Sequence, residues 1–96
     1  MLSKKVYQNG QPVYHINEHC LTFYYKSGQI KAKGGFINQM MEGQWDFYRA
    51  DGQLWQVGHF LNNQKHGIWT RYKLNYQIEK TEHFEFGKPI KNPGEQ

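Results

Sequence analysis

Apolar and polar residues alternate in short runs along most of the chain, and these runs are rich in β-branched and aromatic residues. Bounded by turn-forming residues, such runs predict strands. They fall at Pro12–Ile16, Cys20–Lys26, Gln29–Ile37, Gln44–Arg49, Gln53–Leu61, Ile68–Lys73 and Tyr76–Phe86. Short turns are expected at Asn9-Gly10, Asn17-Glu18-His19, Lys26-Ser27-Gly28, Ala50-Asp51-Gly52 and Leu74-Asn75. Two longer connections are expected at Asn38–Gly43 and Asn62–Gly67. No segment carries a convincing helical period. Strands following one another about every 12 residues predict an all-β antiparallel hairpin meander, and the pattern leaves open whether it is open or curled.

The runs also repeat. Gly43–Phe60 (GQWDFYRADGQLWQVGHF) overlays His19–Phe36 and Gly67–Phe84 without gaps, a 24-residue period. Leu21, Trp45 and Trp69 coincide, as do Tyr24, Tyr48 and Tyr72, and Ile30, Leu54 and Ile78. Gly34 meets Gly58, and Phe36, Phe60 and Phe84 fall together. A fixed period of this size reads as an array of one supersecondary unit. The expected organisation is a single domain over 1–90, with units at 19–42, 43–66 and 67–90. A partial N-terminal unit covers 1–18, placed by Val6 and Gly10 falling on Ile30 and Gly34, and 91–96 reads as a frayed tail. Residues two apart share a strand face. Leu21, Trp45 and Trp69 are therefore expected to stack along the array, with Tyr24, Tyr48 and Tyr72 in a second row. Trp45 and Tyr48 lie three apart, so either both faces carry aromatics or a bulge intervenes.

Glu42–Asn63 (EGQWDFYRADGQLWQVGHFLNN) resembles the MORN-repeat variant of bacterial proteins. The features are Gly-x-Trp, a Tyr three residues later, a Gly-Gln turn, a Gly before an aromatic, and an Asn-rich turn. The units opening at Gly43 and Gly67 carry the pattern. The one opening at His19 departs from it in His19 and Leu21, and the last has Tyr76 and Glu82 where glycine is expected, as suits a capping unit. The resemblance implies a β-hairpin ladder used for protein–protein association, sometimes for contact with anionic lipid. It also implies an antitoxin-like or immunity-type role in some bacterial members.

The bulk properties fit a thin aromatic core. The 96 residues have a mean hydropathy of -0.92, yet aromatics make up 17% and rings bury large areas. The net charge is +4, carried mostly by lysine, which serves solubility better than bidentate recognition. A single cysteine, Cys20, excludes an intramolecular disulfide. No run is long and apolar enough for a membrane helix, and MLSKKVYQNG lacks the apolar centre of a signal peptide, so a cytoplasmic location is expected.

Catalytic and metal chemistry find little support in the residues. His15, Glu18, His19 and Cys20 have helix-like spacing in a strand–turn–strand segment, with no second ligand pair, so no metal or cofactor is expected. His59, His66 and His83 lack a nucleophile motif, because the only serines are Ser3 and Ser27. Lys31, Lys33, Arg71 and Lys73, interleaved with tyrosines, are candidates for weak nucleic-acid or anionic-lipid binding; edge lysines that block aggregation are the simpler reading. A thin sheet exposes some of its rings, and Trp and Tyr favour interfaces. The candidate protein-binding residues are Tyr48, Trp55, Trp69 and Tyr72. Trp55 stands out because Lys31 and Glu79 occupy its place in the other units, although it would equally cover an underpacked turn. The expectation is a non-catalytic module binding another protein, in the form of an antitoxin-like or mobile-element-encoded inhibitor. Homo-oligomerisation through sheet edges is a further option.

Overall fold

The computed structural model describes Leu2 and residues 4–91. Most of the expected C-terminal tail, 92–96, lies outside the described residues. Among the described residues nine strands form one antiparallel sheet: β1 (Tyr14–Asn17), β2 (Cys20–Tyr24), β3 (Ile30–Ile37), β4 (Met40–Tyr48), β5 (Leu54–Leu61), β6 (Gln64–Lys65), β7 (Gly67–Tyr72), β8 (Ile78–Glu85) and β9 (Lys88–Ile90). Their order is β1-β2-β3-β4-β5-β7-β8-β9, with β6 beside β7 on the flank of β5. The fold is an open all-β meander, one layer deep, with extents of 50 × 34 × 19 Å. Its last strand is short and carries Lys88 and Pro89, which blunt an exposed edge.

Two kinds of turn alternate. The tight ones close at Asn17↔Cys20, Ile37↔Met40, Leu61↔Gln64 and Glu85↔Lys88. Both central residues have positive φ in Asn38-Gln39, Asn62-Asn63 and Phe86-Gly87. That is the type I′ form, whose twist matches a hairpin and which asparagine tolerates. The stretches expected to be longer connections are therefore two-residue turns, with strand resuming at Met40 and Gln64. The Phe86-Gly87 turn likewise adds β9 beyond the strand expected to be last. Phenylalanine disguises it, since bulky residues rarely take positive φ. Here the His66 ring lies 4.9 Å from the Phe86 ring, and His66 Nδ1 accepts the Phe86 amide proton at 3.2 Å.

The wider turns span Tyr7–Gln11, Tyr25–Gln29, Arg49–Gln53 and Lys73–Gln77. In each, the first residue's amide donates to the last residue's carbonyl at 2.8 Å. The side chains of Asn9, Ser27 and Asp51 accept the amide protons of Gln11, Gln29 and Gln53, which fixes the loop locally. Asn9-Gly10-Gln11 thus matches Ser27-Gly28-Gln29, a shorter step than the one from Gly28 to Gly52. The alignment of Gly10 with Gly34 is corrected accordingly: the N-terminal hairpin is out of register with the later units.

Each long hairpin also carries a bulge. Pairing shifts between Phe23 and Tyr24, between Phe47 and Tyr48, and between Arg71 and Tyr72, leaving Lys31, Trp55 and Glu79 as the extra residues. A second irregularity after Gly34 leaves Gly43 and Gln44 without partners on β3; Gly43 has φ +74, and Gly67 has φ +84.

The core lies on one face. Leu21, Ala32, Phe36, Trp45, Trp69 and Phe84 are buried there. Gly34 and Gly58 make room for the indoles, since a Cβ would stand 2.3 Å from Trp45 at Gly34 and 2.0 Å from Trp69 at Gly58. The Trp45 indole N–H donates to the Gly35 carbonyl at 2.9 Å, and that of Trp69 to the His59 carbonyl at 3.0 Å. The tryptophans do not stack on each other. Phe60 meets both edge-on, at 6.0 Å and 5.1 Å, and Phe47 lies between them at 6.1 Å and 5.7 Å.

Side chains tie successive hairpins at both ends. At the wide turns, the Tyr7 hydroxyl donates to the Tyr24 carbonyl at 2.8 Å and the Tyr25 hydroxyl to the Tyr48 carbonyl at 2.7 Å. Arg49 Nη2 donates to the Tyr72 carbonyl at 2.9 Å. At the tight turns, Asn63 Oδ1 accepts from the Met41 backbone amide at 2.7 Å and Glu42 Oε1 from the Asn62 backbone amide at 2.9 Å, and the backbone amides of Asn63 and Gly87 donate to the Met41 and Lys65 carbonyls.

Candidate binding surface

Strand β4 runs without an extra residue from Trp45 to Tyr48, since the bulge belongs to β5. Trp45 and Phe47 therefore face the core, while Asp46 and Tyr48 face the other way. Both faces carry aromatics. On the outer face Tyr24 pairs with Ile30, Tyr48 with Leu54 and Tyr72 with Ile78. Paired residues share a face and touch, so the three pairs make a Tyr–aliphatic ladder beside the wide turns. Ile78 is 61% exposed and Ile30 37%, while the tyrosines and Leu54 are half-buried. A depression of about 250 Å³ lies among Gln29, Ile30, Tyr48 and Gly52. The Tyr48 hydroxyl is held above the ordinary tyrosine pKa of 10.0, first by burial and then by the Asp46 carboxylate. At neutral pH it is thus a neutral donor.

Of the four residues expected to form a protein-binding face, the structure brings Tyr48 and Tyr72 together on this ladder. Trp69 is only 3% exposed and belongs to the core, so it presents nothing to a partner. Trp55 is a bulge residue away from the ladder; the Arg71 guanidinium lies 5.7 Å from its ring and reaches Glu79 at 3.9 Å. Ile30, Leu54 and Ile78 join the surface without having been expected there. Their coincidence in the repeat was the available signal.

The basic residues do not gather. Lys31 and Lys33 are not on the one face expected of them: the bulge turns Lys31 toward the side of Ala32, where both line a hollow with Phe23 and Phe47. Lys33 lies on the outer face, paired with Asp46. Arg71 sits with Trp55 and Glu79, and Lys73 opens the β7–β8 turn. His15, His19, His59 and His83 are exposed, and Cys20 is a half-buried free thiol. Among the described residues no group of three His, Cys, Asp or Glu is placed to hold a metal, and no helix is long and apolar enough to cross a membrane. Comparison with protein-family models, curated proteins and solved structures finds no match to the chain.

Proposed function

We propose that the protein is a non-catalytic protein-binding module that acts by occluding its partner, as an antitoxin-like or mobile-element-encoded inhibitor does. The observation that carries this reading is the Tyr–aliphatic ladder: three tyrosines and three aliphatic residues aligned on the face that the core does not use. Tyrosine is a favoured interface anchor, and the exposed aliphatic side chains beside it extend the apolar surface that an interface covers. The regular recurrence of the ladder and of the Trp–carbonyl bonds supports a MORN-like hairpin array as the scaffold. Dispersal of Lys31, Lys33, Arg71 and Lys73 disfavours the alternative of a nucleic-acid or anionic-lipid surface, which needs its cations on one face.

The test is affinity capture from the native host lysate, with nuclease, comparing the natural chain with Ile30→Glu/Ile78→Glu. Both positions are exposed, so the melting temperature should hold. Recovery of one stoichiometric protein by the natural chain, and its loss with the double variant, supports the reading. Recovery that nuclease abolishes, or that the variant leaves unchanged, overturns it.

A further inference from the structure

The ties at the tight turns recur with the 24-residue period, but one of them changes chemistry. In the middle of the sheet the Asn62 amide donates to Glu42 Oε1 at 2.9 Å, and the Asn63 amide to the Met41 carbonyl at 3.0 Å. Asn63 Oδ1 also accepts from the Met41 amide at 2.7 Å. One period later the Phe86 amide donates to His66 Nδ1 at 3.2 Å, and the Gly87 amide to the Lys65 carbonyl at 2.8 Å. Gly87 has no side chain, so the third bond has no counterpart. The last turn is therefore docked on its neighbour by fewer bonds, and an imidazole stands where the preceding turn uses a carboxylate. Glu42 and His66 are both half-buried.

The two acceptors answer differently to a proton. A carboxyl group keeps an oxygen that accepts in either protonation state, whereas an imidazolium carries N–H on both nitrogens and accepts nothing. The bond to the Phe86 amide thus requires a neutral His66 with its proton on Nε2. Imidazole is the side chain that ordinarily changes charge between about pH 5 and 8. The charged and titratable groups around the turn are Lys65 on β6, His59 opposite His66 on β5, Glu85 on β8 and Lys88 on β9. Lys65 is turned to the core face, over Trp69 and Phe84. No carboxylate pairs with His66, since both ion pairs among the described residues lie at Arg71–Glu79 and Lys80–Glu82. We propose that His66 is a pH-sensitive latch on the C-terminal hairpin: the neutral ring holds the Phe86-Gly87 turn against β6, and protonation releases it. Release loosens β9, whose Lys88 and Pro89 guard the open edge of the sheet. The latch lies at the tight turns, whereas the outer ladder lies beside the wide ones, so either can fail alone.

The experiment follows amide exchange of the ¹⁵N-labelled chain by NMR from about pH 8 to about pH 5, the range in which imidazole titrates. Rates are corrected for the pH dependence of intrinsic exchange, and the His66 ring protons are titrated alongside. Protection of the Phe86 and Gly87 amides should fall about threefold or more as the pH drops, the scale of one net hydrogen bond, with its midpoint on the His66 titration. The Asn62 and Asn63 amides should keep their protection. His66→Glu installs the acceptor that the preceding turn uses, and should make protection of Phe86 and Gly87 independent of pH over this range. If that variant does not fold, His66→Gln decides, since its side-chain oxygen accepts at every pH. Protection of Phe86 and Gly87 that does not change with pH overturns the proposal. A change that survives in the folded variant also overturns it and moves the effect to His59 or His83. Equal loss at Asn62 and Asn63 overturns it as well, in favour of a general loosening of the sheet.

Discussion

Trp45 and Trp69 occupy matching places in successive units, yet their surroundings differ. Trp45 pairs with Gly34 on one side and Gly58 on the other, so bare backbone flanks the indole. Around it are Phe23, Phe47 and Phe60, and it shares a buried cluster with Leu21, Ala32 and Phe36, to which Met41 adds cover. Trp69 has Gly58 on one side only; its other partner is Glu82. Where Met41 covers the first cluster, Lys65 covers the second, its Nζ 4.6 Å from the centre of the Trp69 ring and 4.9 Å from that of Phe84. Where Phe47 flanks Trp45, Arg71 takes the corresponding place beside Trp69. An interior position can be wholly apolar because strands continue on both sides. Toward the end of the sheet the same shape is kept with residues whose stems are apolar and whose heads reach water.

The largest test of this contrast is truncation of the two rings. Trp45→Ala should cost about 3–5 kcal/mol, the usual range for a buried Trp, and in so small a sheet that can abolish folding. Trp69→Ala should cost less, because Lys65 and Arg71 can fold over the gap. Denaturant midpoints of the two variants decide; an equal loss, or an unchanged midpoint for Trp45→Ala, breaks the contrast. Next in size are the flanking positions. Gly58→Ala drives a methyl group into the Trp69 indole and should cost about 1–3 kcal/mol or more as overpacking, whereas Glu82→Ala should stay within about 0.5 kcal/mol. Comparable melting temperatures for the two would show that the glycine is not placed to admit the ring.

The smallest effect concerns the outer face. Asp46 stands two residues before Tyr48, whereas Thr70 holds that place before Tyr72. Asp46→Thr should lower the pH at which Tyr48 ionises, read by absorbance at 295 nm above pH 10 against a Tyr48→Phe control. The sign follows from a folded-state pKa raised above the unfolded one. The Tyr48 contribution to stability is present below about pH 10 and is lost as pH rises through the raised value. A titration unmoved by Asp46→Thr would leave burial as the only cause.

Strand content was legible because aromatic and β-branched runs are broken by Asn-, Gly- and Asp-containing turns, and every expected strand has a counterpart. Of the tight turns, the one at Asn17-Glu18-His19 was legible, but Asn38-Gln39 and Asn62-Asn63 were not, since they are followed by residues that read as loop but pair as strand. The bulges were hidden for a different reason. Lys31, Trp55 and Glu79 are extra residues within an unbroken repeat spacing, so nothing in the pattern marks them, yet they decide which face each side chain takes. That is why Lys31 parted from Lys33, and why Trp55 parted from Tyr48 and Tyr72. A fixed period also obscured the N-terminal hairpin, whose Asn9-Gly10-Gln11 turn recurs at Ser27-Gly28-Gln29, short of the full repeat.

The ties between neighbouring hairpins carry a consequence for how the chain folds. The side-chain hydrogen bonds at the wide and tight turns span no more than 23 residues. Each strand pairs with the next in a meander, so no contact waits for a distant part of the chain to arrive. Loop-closure entropy stays small at every step, and short-range topology of this kind favours rapid folding for a β protein. During synthesis the hairpins through β5 can close around Trp45 before β8 has left the ribosome.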